Sequence, residues 1–136
     1  MAWGFDISTE AAAERFWPAA THTTVALARA AGEARVGPKR QAARERIVVL
    51  CEDLKRAAGD GEGALVGAIA GSLGAFVARA ELDEQALDVI AGHLEALRAV
   101  VSHTIAGSGG TIGRAIMAGL EASVARHAPA DRTPAA

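Results

Sequence analysis

The segment from Gly63 to Ala80, G-A-L-V-G-A-I-A-G-S-L-G-A-F-V-A-R-A, constrains this chain more than any other. Leu65, Val66, Ile69, Leu73, Phe76 and Val77 spread around all sides of a helix of that length. A helix that is apolar all round must be covered by other helices or by lipid. The unbroken apolar run, Ala64 to Ala78, falls short of the roughly 20 residues that a bilayer crossing needs. The spacing therefore predicts a central helix surrounded by protein. Gly67, Gly71 and Gly74 each cost about 1 kcal/mol of helix propensity relative to alanine. Close approach of a neighbouring helix is the expected return, and the run is too short for the Gly67/Gly71 pair to read as a membrane dimer motif.

The covering helices are legible on either side. Gly37-Pro38 opens a helix over Lys39 to Ala58, with Ala43, Ile47, Leu50, Cys51, Leu54 and Ala58 recurring on one face. Glu52, Asp53, Lys55 and Arg56 lie off that stripe, and Glu52 is expected to pair with Lys55 or Arg56 one turn on. The basic start, Lys39, Arg40, Arg44 and Arg46, has no interleaved aromatics and reads as a solvated face. Gly59-Asp60-Gly61 is a turn. Asp83 caps a helix with Leu87, Ile90, Leu94, Leu97, Val101 and Ile105 on its buried stripe, running past His103 to the glycines Gly107 to Gly110. Thr111 caps a last helix through Ile112, Ile116, Leu120 and Val124. Upstream, Ser8 or Thr9 starts a short helix that Pro18 ends, and Pro18 opens another to about Ala31. Trp3, Phe5, Phe16 and Trp17, four of the five aromatics, are expected to lid one end of the core.

No alternating strand pattern occurs in the chain. The fold class is all-α, an up-and-down helical bundle of about four long helices with a short N-terminal helical segment. The division is 1–34 for that segment, 35–127 for the bundle, and 128–136, A-P-A-D-R-T-P-A-A, for a disordered tail. At 136 residues the chain makes one domain with a sizeable core. Fourteen Lys+Arg against sixteen Asp+Glu give a net charge of -2, so nucleic acid is not an expected partner. A lone cysteine, Cys51, and the absence of a signal-peptide pattern point to a cytoplasmic protein, and the alanine and arginine bias points to a bacterial one.

Little in the chain suggests catalysis. His22, His93, His103 and His127 share no ligand spacing, so no metal and no cofactor is expected. Ser102 and His103 are neighbours on a helix and point about 100° apart, which excludes a nucleophile–base pair. Gly107-Ser108-Gly109-Gly110-Thr111 lacks the strand and the lysine of a nucleotide loop. His103 stands among Ala99, Ala106 and Gly107, small neighbours that would let a partner domain reach an exposed imidazole.

Two stretches resemble the histidine phosphotransfer (HPt) domains of bacterial two-component phosphorelays. Ser102 through Gly110, S-H-T-I-A-G-S-G-G, is similar to a His-Thr-Leu-Lys-Gly-Ser signature, with Ala106 in place of the lysine. A longer register covers about 47–126. It sets Glu52, Asp53, Leu54, Lys55 and Arg56 on a His-Asp-Ile-Lys-Gly run, with Leu65, Val66, Ile69, Ser72 and Leu73 on the helix that follows. In that register Glu52 replaces the phosphoaccepting histidine, Arg56 replaces the glycine, and Lys55 is kept.

The longer register explains the helix order as well as one motif. It implies a degenerate HPt-like signalling module, not an enzyme, that binds response-regulator receiver or histidine-kinase domains through Glu52, Asp53, Lys55 and Arg56. The alternative it leaves is an active phosphotransfer protein using His103. From the residues alone, a structural or homo-oligomerising helical protein is the third expectation.

Overall fold

The computed structural model describes residues 2–127, with side chains described from residue 14 onward. Among these residues the chain is all-helical: α1 (Ala2–Ala34), α2 (Arg40–Ala58), α3 (Ala64–Arg79), α4 (Glu84–Ser102) and α5 (Gly110–His127), with a single 3-10 turn at Gly37–Lys39 between α1 and α2. The side chains of Trp3 and Phe5, expected to form part of a lid, and the tail 128–136 lie outside what is described.

Helix α3 is the central element. It touches α2, α4 and α5, and α1 closes a ring by touching both α2 and α4. Leu65, Val66, Ile69, Leu73, Phe76 and Val77 are all buried, as their all-round distribution requires. They meet Leu27 of α1, Ile47 of α2, and Ile90 and Leu97 of α4 in one core. The glycines of α3 do what their cost demands. A Cβ on Gly67 would lie 3.1 Å from Ala58 Cβ, one on Gly71 3.6 Å from Lys55 Cδ, and one on Gly74 3.0 Å from Cys51 Cβ. Partners on α2 fall in number as those on α3 rise, so the two helices run antiparallel with their backbones close. Helix α5 starts beside Leu65 and ends with His127 against Phe76, so it follows the direction of α3.

The N-terminal part departs from the sequence reading. It is one helix of 33 residues, running unbroken through Pro18, and Ser8 and Thr9 lie within it. Proline removes the bond to the carbonyl four residues back, at a cost of about 3 kcal/mol. Glu14 and Pro18 sit on the exposed face, while Phe16 and Ala20 on either side are buried, so packing holds the helix across the defect. Phe16 and Trp17 meet edge to face at 5.0 Å over one end of the core.

The basic start of α2 is also more than a solvated face. Arg40 Nε donates to Ala34 O at 2.8 Å, and Arg44 Nη1 donates to Val77 O at 2.6 Å and Ala80 O at 2.7 Å. Each guanidinium thus satisfies carbonyls at a helix C-terminus, where the backbone has no partners and the dipole favours a cation. Arg44→Ala is expected to lower stability by about 2 kcal/mol, since both bonds are charge-assisted. Urea denaturation checks this; a loss below about 0.5 kcal/mol, the level of an ordinary surface change, would refute it.

Candidate functional site

Helix α2 buries Ala43, Ile47, Cys51, Leu54 and Ala58, and this leaves Glu52, Asp53, Lys55 and Arg56 exposed. Two of the four line a hollow and two do not. Glu52 and Lys55 line a hollow of about 230 Å³ between α2 and α3, with Val48 beside them and Gly71, Gly74, Ala70, Ala75 and Ala78 as its small-residue wall. Asp53 and Arg56 do not line it; they pair with each other at 3.2 Å on the exposed side of α2. The expected pairing of Glu52 with Lys55 or Arg56 is therefore replaced by Asp53 with Arg56. Among the described residues neither Glu52 nor Lys55 forms an ion pair.

The missing side chain at Gly71 leaves room for the apolar stem of Lys55, whose Cδ and Cε come within 3.6 and 3.7 Å of where a Cβ would stand. A lysine stem laid on apolar surface keeps its ammonium in water. Cys51 sits under the hollow, and burial pushes its thiol up to about 12, so it remains protonated and unreactive.

His103 is exposed but does not stand on a helix face. Helix α4 ends at Ser102, and His103 is its C-cap. Thr104 turns left-handed at φ 49°, the Thr104 amide donates to Val101 O, and the Ile105 amide donates to Val100 O. That pair of bonds is a Schellman motif, here with threonine where glycine is usual. Ile105 then packs against the core, which holds the turn in place. The stretch beyond is structural as well. Gly107 O accepts from the Leu65 amide at 2.8 Å, and the Gly107 amide donates to Glu62 O at 2.8 Å, so the turn fastens itself to the start of α3. Helix α5 begins at Gly110, so Thr111 lies inside it and is not its cap; Thr111 Oγ1 accepts from Arg114.

Two polar arrangements were not legible beforehand. His93 is fully buried, its Nδ1 2.9 Å from Val89 O and its Nε2 2.9 Å from Ser72 Oγ. A carbonyl only accepts, so Nδ1 carries the proton and Nε2 accepts from the serine hydroxyl. A serine bonded to a neutral imidazole has the connectivity of a nucleophile and base. Ser72 stands on α3 and the fully buried His93 on α4, so the bond ties the two helices together inside the core. Asp83 caps α4 as expected, accepting from the Ala86 amide at 2.8 Å, and also meets His127 Nε2 at 3.3 Å. The helix amide holds its carboxyl below the usual 3.8, with His127 adding to the effect.

No group of three or more His, Cys, Asp and Glu side chains converges as a metal site among the described residues, and no described helix is long and apolar enough to cross a membrane. Compared with family models, with curated proteins and with solved structures, the chain finds no match. What fold and site define together, among the described residues, is an all-helical protein with a hollow beside its glycine-bearing helix that carries one unpaired acid and one unpaired base.

Proposed function

We propose that the chain is a helical-bundle module of the phosphotransfer type that binds receiver or histidine-kinase domains across α2 and α3 without passing a phosphoryl group itself. The observation that carries this reading is that Glu52 and Lys55, neither of them ion-paired among the described residues, line one hollow above a wall of glycine and alanine. Small residues let a partner's loops approach the backbone, and unpaired charges retain their full value for a partner. In the longer HPt register these two positions are the phosphoacceptor and its lysine. A carboxylate at Glu52 presents fixed negative charge where a phosphorylated imidazole would, and it cannot relay the group as an imidazole does. Asp53 and Arg56 satisfy each other and belong to the rim. In this reading the module works in a bacterial cytoplasm as a signalling adaptor.

His103 is the C-cap of α4 and stands at its end, off the helix face on which the phosphotransfer alternative places it. The test is incubation with phosphorylated receiver domains and an autophosphorylated kinase. The expected result is a complex that Glu52→Ala or Lys55→Ala weakens about tenfold, close to 1.4 kcal/mol, with no phosphate on the module. Acid-labile phosphate that disappears in His103→Gln would replace this reading with an active phosphotransfer protein.

A further inference from the structure

The seam where α1 meets α4 is open. Thr24, Val25 and Ala28 from α1 and Leu94, Arg98 and Val101 from α4 line a groove of about 450 Å³, within the range of small-molecule clefts between helices. Val25, 55% exposed, adds its apolar side chain to the groove wall beside Leu94 and Val101. Of the three hydroxyls on the groove wall, Ser102 stays available to a ligand at the α4 end, while the two threonines offer little. Thr24 Oγ1 donates to Ala20 O at 2.8 Å, and Thr21 Oγ1 donates to Trp17 O at 2.9 Å, so both protons are spent on their own helix.

Charge at the rim selects the ligand. Arg98 lines the groove, and Arg29 edges an adjoining hollow on α1 that shares Thr21 and Val25. Among the described residues neither arginine has a carboxylate partner, and Glu95 is the single acid on the groove wall. A guanidinium holds a carboxylate through two parallel hydrogen bonds, and its value rises beside an apolar surface. We propose that this groove binds a small amphipathic carboxylate, its hydrocarbon body along Val25, Leu94 and Val101 and its head on Arg98, with Arg29 adding to the positive field. This groove and the Glu52/Lys55 hollow share no lining residue.

The experiment is a titration of the full isotope-labelled chain with decanoate, kept below self-association, alongside decan-1-ol and decylamine. Saturable one-site binding of decanoate is expected, with amide shifts at Thr24, Val25, Leu94 and Val101. Arg98→Gln should lower decanoate affinity about tenfold and leave decan-1-ol unchanged. Ala28→Phe, a change at an exposed position, should block both. Absence of saturable decanoate binding, equal binding of decylamine, or an unaltered affinity in Arg98→Gln would overturn the proposal. So would a dimer that covers the groove and that decanoate does not dissociate.

Discussion

Gly113→Ala is expected to lower stability by about 3 kcal/mol or more, a drop well above that of an ordinary surface substitution. The added methyl would overlap the carbonyl oxygen of Ser108 and crowd its carbonyl carbon at 2.9 Å. Backbone on the opposing side cannot rotate out of the way as a side chain can, so the turn itself would have to move. That turn is fastened to α3 by the two backbone bonds between Gly107 and residues Leu65 and Glu62. Moving it would strip the Leu65 amide of its acceptor and lift the start of α5 off Leu65. Thermal and urea denaturation measure the effect. Gly119→Ala, on the same helix with open space where its methyl would go, is the matched control and should be neutral or stabilising. Equal stability of the two variants would show that the turn is not packed as described.

The second large effect is acid sensitivity centred on His93. Burial depresses its pKa below the ordinary 6.5, with the bond to Val89 O opposing part of that shift. In the unfolded chain the imidazole takes up its proton as pH falls through about 6.5, whereas the folded chain resists. The unfolded state then binds more protons, so stability is full above that pH and declines below it. The slope is about 1.4 kcal/mol per pH unit until the folded pKa is reached. Urea denaturation at about pH 7.5 and about pH 5 should reveal the loss. His93→Gln keeps hydrogen-bonding groups without titrating, and it should flatten the slope. Asp83 does not confuse this window, because its depressed pKa contributes stability that is constant above 3.8 and lost only as pH falls through its lower folded value. An unchanged slope in His93→Gln would place the acid sensitivity elsewhere.

Much of the helical framework could be read directly from residue spacing. The stripe of α3 is buried as written, that of α2 is buried except for the half-buried Leu50, and the glycines of α3 are indeed where α2 comes closest. The misreadings share one cause: local signals that tertiary packing overrides. Pro18 is a stop signal by itself, yet buried neighbours on both sides carry α1 through it. Thr104 is a poor residue for a left-handed C-cap, so spacing extends α4 to the next glycines and places His103 on a helix face it does not occupy. The roles of Arg40 and Arg44 depend on carbonyls of other helices, in the case of Arg44 more than thirty positions away, and no periodicity reports such partners. The same holds for Ser72 with His93.

At the candidate site, spacing brought four charged residues to one exposed segment of α2. It could not divide them, because helix periodicity does not say where α3 lies. The close approach at Gly71 and Gly74 makes the division, leaving Glu52 and Lys55 over the hollow and Asp53 with Arg56 outside it.

The most direct test of the docking account is an amide chemical-shift footprint of the labelled chain titrated with a panel of receiver domains. The account predicts that at least one receiver produces saturable shifts at Glu52, Lys55, Gly71 and Gly74, with residues around His103 unmoved. Shifts confined to the α4–α5 turn, or no saturable binding across the panel, would contradict it.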